Sequence, residues 1–401
     1  MNSIVIGERN FEQFFQKSVK KLYFRDTSVA EYPDATIVNE HRKGFGVFDE
    51  NGRFVPESLQ VRRNAGQIVP KFDTRVDVPY IDENVVFIGN VYPHFGHFLL
   101  EHMNRLYALL DKKYQGAKVV LINDKNVNPV PKYMFNLLEL FGVDKQDVII
   151  LDKTTKFKNV FVPVQSFNSK VYSSYAYGAT FDRIAERVPD TEIYEKIYMS
   201  RTALDAQHKV LGEEKVQSIF EKNGFKIICP ETLPLSQQIS LVKNCKVLAG
   251  CAGTALHLAL FMKPGGTVIQ IKRNRLPKDN AGVQFNINKT KGLNGVFISG
   301  SIETRKTQHG SAAPQIIGVN KYMREFFDKY KFKYSAADIQ PDASAIQEYN
   351  KRVQEYNAIH GGVWINKCKH FFIKFSALFV PGRERRGKYR HWMAAKLNYQ
   401  K

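Results

Sequence analysis

Three histidines and one glutamate are concentrated in the nine residues from His94 to His102. His97 and Glu101 are four positions apart, so they share one face of any helix that contains both. A carboxylate on that face can orient an imidazole and raise its basicity, which is what a general base needs. Two alternatives stay open. One is a catalytic metal site, although the H-E-x-x-H spacing is absent, and the other is histidines that only hydrogen-bond inside a helix–strand junction.

The segment from Leu248 to His257 combines small residues with the start of a helix. A predicted strand ends at Gly250, small residues follow as far as Gly253, and Thr254 opens the helix. Small side chains let a ligand approach the backbone, and free N–H groups at a helix start favour an anion such as a diphosphate. The segment is neither G-x-G-x-x-G nor a P-loop. The alternative is an ordinary strand-to-helix turn with Thr254 as the N-cap.

Arg201 follows directly after the predicted strand Ile197–Met199 and its neighbour Ser200. An arginine at the carboxyl end of a parallel strand lies where ligands bind, and its planar guanidinium suits phosphate oxygens. The alternative is an ordinary surface arginine. The sequence contains no Asp-x-Asp, the carboxylate pair that commonly holds a divalent ion on a nucleotide-sugar diphosphate. If phosphates bind, backbone amides and Arg201 must therefore neutralise them.

These segments lie at the ends of strands that alternate with helices from residue 85 onward, which predicts a mostly parallel α/β sheet. The alternation breaks at Pro189-Asp190 and then resumes, so we expect two lobes with a cleft between them. The predicted strands are 85–88, 119–122, 148–151, 197–199, 226–228, 246–249 and 267–271. The predicted helices are 98–110, 132–141, 180–188, 212–223, 236–244 and 254–262. The predicted parts are an N-terminal α/β lobe (1–189), a C-terminal Rossmann-like lobe (190–318), closing helices (319–362) and a basic tail (363–401).

The composition is that of a folded protein. The 401 residues are 43% hydrophobic, 12% aromatic and 24% charged, which excludes a disordered or fibrous chain. Four cysteines without a C-x-x-C pair fit a reducing compartment better than a disulfide framework. There is no signal-peptide pattern and no window with the roughly 18 apolar residues of a spanning helix, so we expect a chain that is neither exported by that route nor integral to a membrane.

Positive charge is concentrated at the end of the chain. Lys and Arg outnumber Asp and Glu by 59 to 39, for a formal charge of +20, and residues 367–401 contain ten basic residues and one acidic residue. Such an excess favours anionic partners. An apolar stripe at helical spacing accompanies it and predicts a helix that lies in a membrane interface; the alternative is a core helix docked on the first lobe. The stripe consists of Trp364, Cys368, Phe371, Phe372, Phe375, Leu378 and Phe379.

Several segments in order resemble the motifs of glycosyltransferase family 61, particularly its bacterial capsule-biosynthesis branch. They are His97 to Glu101 with Arg105-Leu106, Ile197 to Arg201, Glu231 to Ile239, and Ala249 to Met262. The resemblance covers about residues 85 to 300. It implies a GT-B fold with two Rossmann-like lobes, a nucleotide sugar held by the C-terminal lobe, and metal-independent transfer with inversion. Many members have His-Gly where this chain has Ala252-Gly253, so no role of that histidine is carried over.

The sequence thus predicts an inverting glycosyltransferase that moves a sugar from a nucleotide-diphosphate sugar, UDP-linked, to a surface glycan of the capsule or lipopolysaccharide type. We assign the base to His97, with Glu101 orienting it and His94 as the substitute candidate. No metal or other cofactor is expected. The residues predicted to bind the donor are Arg201, Gly253 and Thr254 at the diphosphate, Glu231 and Gln238 near the nucleoside, and His257 in the same motif as Thr254.

We expect the protein to be cytoplasmic and peripheral on the inner face of the cell membrane, attached to an anionic surface through residues 363–401. The charge of the chain raises a second hypothesis, a nucleic-acid-binding protein. The densest basic block flanks bulky apolar residues rather than forming a stripe across a folded surface, so no nucleic acid is expected as a partner. A third hypothesis is a metal hydrolase that uses His94, His97 and Glu101.

Overall fold

The computed structural model describes residues 2–40, 44–61, 69–123, 127–205, 208–274, 281–303 and 313–376, and the four residues 386, 389, 392 and 393. In its last helix, side chains are described except at residues 360–370 and 372–374. Most of the predicted tail, including Trp364, Cys368, Phe372, Leu378 and Phe379 as side chains, lies outside the described residues.

Strands and helices alternate along the described chain, which confirms the predicted α/β class. The strands are β1 (Ser3–Ile6), β2 (Tyr23–Phe24), β3 (Val29–Pro33), β4 (Thr36–Asn39), β5 (Phe45–Phe48), β6 (Tyr80–Asn90), β7 (Lys118–Ile122), β8 (Val148–Leu151), β9 (Thr155–Pro163), β10 (Tyr172–Ser173), β11 (Lys196–Met199), β12 (Lys226–Ile228), β13 (Val247–Cys251), β14 (Thr267–Lys272) and β15 (Asn294–Ser299). The α-helices are α1 (Arg9–Val19), α2 (Phe95–His97), α3 (Lys132–Phe141), α4 (Tyr175–Arg187), α5 (Glu213–Lys222), α6 (Leu235–Lys243), α7 (Ala281–Lys291), α8 (Lys321–Lys329) and α9 (Ala343–Ser376). A π turn spans Phe98–His102, and the 3-10 helices are Pro56–Ser58, Met103–Leu110, Lys112–Tyr114, Lys145–Asp147, Pro230–Thr232 and Thr254–Phe261.

Short-range signals fix several of these ends. The Ser174 hydroxyl accepts a hydrogen bond from the Tyr177 N–H at 3.1 Å and so caps the start of α4. At the end of α3, Gly142 adopts a left-handed φ of 114°, and its N–H returns to the carbonyls of Leu138 and Glu139. The two helices pack against each other and contribute to one apolar core.

The C-terminal sheet consists of six parallel strands in the order β1-β15-β14-β13-β11-β12. Their carboxyl ends lie along one edge, where open parallel sheets bind ligands. Ser3–Ile6 pairs with Gly295–Ile298, so the first strand of the chain belongs to this sheet. The sequence had assigned all of residues 1–189 to the N-terminal lobe, because a four-residue strand carries too little periodicity to show which sheet it joins.

The N-terminal sheet is mixed, with the order β5-β4-β9-β6-β7-β8 and β3 also paired to β9. Strands β6, β7, β8 and β9 pair in parallel, whereas β3, β4 and β5 are antiparallel additions. The parallel part corresponds to the predicted alternation of strands and helices. The carboxyl end of β6, at Asn90, leads directly into the histidine-rich segment.

One apolar core contains side chains from both sheets. Val86 and Leu121 contribute from the N-terminal sheet, and Leu248 and Val268 contribute from the C-terminal sheet. Most of the rest of this core comes from helices α3, α4, α6 and α7 and from the 3-10 helices Met103–Leu110 and Thr254–Phe261. Because parallel strands bury both faces, separate clusters cover the other sides of the sheets. A shared layer of buried apolar side chains therefore joins the two sheets.

Helix α9 runs without a break from Ala343 to Ser376, so the predicted boundary between closing helices and tail falls inside one helix. Near its end Phe371 and Phe375 are 70% and 50% exposed, and their rings stack with centroids 6.0 Å apart. Among the described residues, no helix combines the length and apolar character needed to cross a membrane.

Candidate active site

His97 and Glu101 form the pair that their spacing predicts. His97 Nδ1 lies 3.1 Å from Glu101 Oε1, and the two side chains are 30% and 10% exposed. In the neutral ring Nδ1 donates to the carboxylate, so the proton sits on Nδ1 and Nε2 keeps its lone pair. A hydroxyl group brought to Nε2 can then transfer its proton to the ring.

The helix that carries this pair is irregular. Helix α2 ends at His97, a π turn follows, and Met103–Leu110 is a 3-10 helix. The Glu101 carbonyl accepts hydrogen bonds from Gln60 Nε2 at 2.7 Å and from Asn104 Nδ2 at 2.9 Å. These side-chain donors compete with the backbone N–H that a regular helix would supply. The helix predicted over residues 98–110 is thus present as π and 3-10 turns rather than as an α-helix, and π turns occur often at functional sites.

His94 is the N-cap of α2 and is exposed. Its Nδ1 accepts the His97 backbone N–H at 3.4 Å, and the two imidazole centroids are 4.8 Å apart. Partial desolvation by the surrounding residues, and then the neighbouring His97, lower the pKa of His94, so the ring is neutral near pH 7. With Nδ1 as the acceptor, the neutral ring carries its proton on Nε2 and is a hydrogen-bond donor there. The geometry therefore favours His97 over His94 as a base.

His102 is the structural histidine of the segment. It is fully buried, its Nδ1 lies 2.9 Å from Gln60 Nε2, and its ring stacks on Tyr92 and Phe98. The bonded-histidine alternative raised by the sequence therefore describes His102. In the described part of the chain, no group of three or more His, Cys, Asp or Glu side chains is placed to hold a metal ion.

Arg105 holds together the elements that carry the histidine segment. It is fully buried, and its guanidinium donates to the carbonyl oxygens of four residues. These acceptors are Pro163 at 2.8 Å, Ile88 at 3.3 Å, Glu57 at 2.9 Å and Leu59 at 2.7 Å. Burial lowers the pKa of Arg105 to about 10, so the group stays charged. It joins β6, β9 and the 3-10 helix Met103–Leu110 into one unit.

Arg201 lies at the carboxyl edge of the C-terminal sheet, just after β11. Its Nη2 donates to the His208 carbonyl at 3.0 Å, and its Nη1 is 3.2 Å from where a Cβ on Gly253 would lie. Its Nε is buried and has no hydrogen-bond partner among the described residues. The guanidinium thus lies against the Gly253 loop with a donor still to be satisfied. A phosphate oxygen would satisfy it.

Thr254 and His257 lie on the 3-10 helix Thr254–Phe261, whose N-cap is Gly253 rather than Thr254. Residues three apart eclipse each other on a 3-10 helix, so these two side chains share one face. His257 is buried, and its Nδ1 lies 3.2 Å from Gln284 Oε1. Burial, with smaller contributions from His94 and His97, lowers the pKa of His257 to about 4. It is therefore a neutral imidazole near the other two rings.

The two halves of the candidate site meet at Gly96. A Cβ on Gly96 would lie 2.7 Å from Thr254 Oγ1 and 3.4 Å from His94 Cε1. A glycine is thus required for the histidine segment to pack against the loop after β13. The contact joins residues that are 158 positions apart in the sequence. It brings His94, His97, Gly253, Thr254 and His257 to one place, with Arg201 against Gly253.

Glu231 lies on the 3-10 turn that follows β12, and Gln238 lies on α6, the next helix. Gln238 Nε2 donates to the carbonyls of Pro230 at 2.7 Å and Leu233 at 2.9 Å, so it holds the 3-10 turn Pro230–Thr232. Glu231 is exposed on that turn. The amide donors of Gln238 are therefore used to bind the turn that precedes α6. The side chain that this loop offers to a ligand is therefore Glu231.

Two charged residues that the sequence analysis did not single out lie at the same edge. Glu213, the first residue of α5, is fully buried and accepts from Tyr198 Oη at 3.2 Å and from the Arg201 backbone N–H at 3.3 Å. Arg273 follows β14 directly, and its charge acts on the buried Cys251. The position of Arg273 right after a strand was a usable signal. Nothing in the sequence marks Glu213 as buried.

Residues 95–269 match the sequence model of a family described as glycosyltransferase 61. The match starts at the histidine segment and ends in β14, so it includes both halves of the candidate site. A search of curated proteins gave no significant match. The protein is therefore a glycosyltransferase. Over residues 95–269 the chain is similar to glycosyltransferase family 61, as the motifs predicted.

Proposed function

We propose that this glycosyltransferase transfers a sugar with inversion from a nucleotide-diphosphate sugar to a glycan acceptor, in a GT-B arrangement with the donor on the C-terminal sheet. The observation that carries the proposal is the close approach of Gly96 to Thr254. It lets His97, a base candidate, and Arg201, a phosphate-binding candidate, act on one substrate. A surface glycan of the capsule or lipopolysaccharide type is the acceptor class proposed.

His97 is the proposed base. The acceptor hydroxyl oxygen attacks C1 of the donor sugar on the face opposite the diphosphate. The new oxygen–C1 bond forms as the bond from C1 to the phosphate oxygen breaks, so the configuration at C1 inverts. The hydroxyl proton passes to His97 Nε2, and the Glu101 carboxylate at Nδ1 stabilises the imidazolium that results.

The diphosphate leaves with the electron pair of the broken bond, so positively charged groups must stabilise it. Arg201 supplies a guanidinium beside Gly253, with a buried Nε that lacks a partner among the described residues. The backbone at Gly253 and Thr254 allows close approach. His257 is neutral and adds no positive charge, so the cation at this position is Arg201. Glu231 is the proposed contact to the nucleoside, on the loop that Gln238 holds. This charge balance requires no metal ion.

Thermal shift with nucleotides tests the donor site. UDP, GDP, ADP and CDP are added in turn, with and without EDTA, and we expect UDP to raise Tm equally in both conditions. Ligand at 100 times its Kd stabilises by about 2.7 kcal/mol, which is a shift of several degrees. UMP is the matched control, because it lacks the second phosphate and should shift Tm less. Failure of every diphosphate to raise Tm, or a shift that requires metal, contradicts the proposal.

Attachment to an anionic membrane, such as the inner face of the cell membrane, is the second part of the proposal. Phe371 and Phe375 are exposed together on the last turns of α9, and Trp392 is 55% exposed. Aromatic side chains beside basic residues favour a membrane interface, where each Lys or Arg near anionic headgroups contributes about 1 kcal/mol. Such attachment would bring a cytoplasmic enzyme to a lipid-linked acceptor.

Flotation with liposomes tests this attachment. The protein should float with phosphatidylglycerol-containing vesicles, float less in high salt, and not float with phosphatidylcholine alone. Changing both Phe371 and Phe375 to Ser should reduce flotation strongly. Ile359→Ser is the matched control, because Ile359 is 71% exposed on the same helix but precedes the basic segment. Equal flotation of the double variant and the control contradicts membrane attachment through this face.

A further inference from the structure

The proposed reaction makes no use of a carboxylate that is buried beneath the donor arginine. Glu213 is fully buried, and its Oε1 accepts from Tyr198 Oη at 3.2 Å while its Oε2 accepts from the Arg201 backbone N–H at 3.3 Å. The Cys251 thiol also hydrogen-bonds to this carboxylate. One side chain on α5 therefore ties together the carboxyl ends of β11 and β13, the two strands that lead into the candidate diphosphate site.

The groups that face Glu213 come from several elements. Burial raises the pKa of Tyr198 and of Cys251 well above their ordinary values, so both are neutral. Arg201 after β11 is the cation that acts on the carboxylate itself, and Arg273 after β14 acts on Cys251. Burial raises the pKa of Glu213 to about 7, although the hydrogen bonds and Arg201 lower it. The carboxylate can therefore change its charge near neutral pH.

We propose, on the basis of the proposed donor site, that Glu213 is a positioning residue that acts through Arg201 and takes up a proton when a nucleoside diphosphate binds. As a carboxylate, Glu213 accepts the Arg201 backbone N–H, which fixes the Ser200–Arg201 turn, and its negative charge partly balances the positive charge of the guanidinium. A diphosphate at Arg201 brings a second negative charge close by, which disfavours the ionised carboxylate. The proton comes from solvent and adds to Oε1 of Glu213. The new O–H can then donate to Tyr198 Oη, because a phenol oxygen both donates and accepts hydrogen bonds.

This proton uptake would make donor binding depend on pH. A site that binds a proton together with its ligand loses affinity as the pH rises through the pKa of the free state. If the diphosphate raises the pKa of Glu213 by one unit, UDP should bind about sevenfold more weakly at pH 8.5 than at pH 6. The effect should appear in the KM for the donor more than in kcat, because Glu213 acts on donor binding.

Calorimetric titration with UDP at pH 7, in two buffers of different ionisation enthalpy, tests the proposal. The number of protons taken up is compared between the unchanged protein and Glu213→Gln, so that ionisation of UDP itself cancels. We expect Glu213→Gln to lose an uptake of about half a proton, since a group with a pKa of about 7 is half protonated at pH 7. Glu214→Gln is the matched control, because Glu214 is the next residue, is half-exposed and pairs with Lys209 at 2.5 Å. It should keep the uptake.

Equal proton uptake by the unchanged protein and Glu213→Gln, with UDP binding intact, overturns the role of Glu213 and leaves the proposed function standing. Absence of UDP binding to the unchanged protein overturns both. If Glu213→Gln does not fold, Tyr198→Phe replaces it. Loss of the phenol donor destabilises the carboxylate, so the pH midpoint of UDP binding should move upward. An unchanged midpoint in Tyr198→Phe overturns the proposal.

Discussion

Arg105 beneath the N-terminal sheet and Arg201 at the edge of the C-terminal sheet belong to neighbouring motifs of one family, but their surroundings are opposite. Arg105 is fully buried, and carbonyl oxygens of four residues accept its hydrogen bonds. Arg201 is partly exposed, donates to the His208 carbonyl, and has a buried Nε with no partner among the described residues. The use of their donors, rather than the residue type, separates a structural arginine from one that can bind a ligand.

The same contrast extends to the histidines around them. His102, close to Arg105, is buried and stacked, whereas His97 is paired through Nδ1 and partly exposed. Groups whose hydrogen-bonding capacity is used inside the protein hold the scaffold, and groups with remaining capacity can act on substrate. The comparison therefore predicts which substitutions reduce stability and which reduce activity.

Replacement of Arg105 should have the largest effect. Arg105→Ala leaves buried carbonyls without donors, and each such group costs about 1–3 kcal/mol, so we expect a loss of about 4 kcal/mol or more in unfolding free energy. Thermal or urea denaturation measures it. Arg75→Ala, at a side chain that is 88% exposed, should leave Tm nearly unchanged. A near-native Tm for Arg105→Ala would remove the distinction between the two arginines.

Replacement of His97 should affect chemistry rather than folding. His97→Ala removes the proposed base, so turnover should fall about 10²- to 10⁴-fold, while Tm and UDP affinity stay close to those of the unchanged protein. Turnover is measured with saturating donor. His94→Ala is the comparison variant and should reduce turnover less, because His94 Nδ1 is occupied by the His97 N–H. If His94→Ala reduces turnover more than His97→Ala does, His94 is the base.

Replacement of Arg201 should weaken donor binding with little effect on folding. Arg201→Ala removes hydrogen bonds to a charged ligand, which contribute about 1.5–3 kcal/mol, so the Kd for UDP should rise about 10- to 100-fold. Calorimetry measures the Kd, and a melt without ligand measures folding. Arg324→Ala, at an exposed arginine on α8, is the control. Unfolding of Arg201→Ala without ligand would place Arg201 in the structural class with Arg105.

The contact between Gly96 and Thr254, which joins the two regions, should be destabilised by one added methyl group. A Cβ on Gly96 would lie 2.7 Å from Thr254 Oγ1 and 2.9 Å from Thr254 Cγ2. Overpacking of this kind costs about 1–3 kcal/mol, so Gly96→Ala should lower the unfolding free energy by that amount. Thr254→Ala removes both clashing atoms and should relieve most of the loss in the double variant. Additive losses would show that the two segments do not touch.

The sequence predicted the parts of the site that depend on short spacing. The His97–Glu101 pair follows from a four-residue interval, and Arg201 follows from its place at the end of a strand. Residues 98–110 are helical as predicted, but the helix is of π and 3-10 type, because Gln60 and Asn104 donate to the Glu101 carbonyl. No local pattern shows the Gln60 donor, which is 41 residues away. Propensity describes the segment alone, whereas its hydrogen bonds come from the whole fold.

The contacts between distant segments were beyond sequence patterns. Nothing in the chain marks Gly96 as the neighbour of Thr254, and the burial of Glu213 depends on three elements that meet only in the folded state. The α/β class and the family were predictable, because strand–helix alternation and motif order persist along the chain. The sheet that β1 joins was not predictable from the sequence, because a four-residue strand can pair with any open sheet edge.

The pairing of β1 with β15 has a consequence for synthesis of the protein on the ribosome. Ser3–Ile6 is made 288 residues before its partner begins at Asn294 (294 minus 6). At about 5–20 residues per second, the first strand waits about 15–60 seconds for that partner. The N-terminal sheet can assemble during this interval, because its strands end at Pro163. The C-terminal sheet is completed only when β1 pairs with β15, the first and last of its strands along the described chain, so this pairing forms late in synthesis.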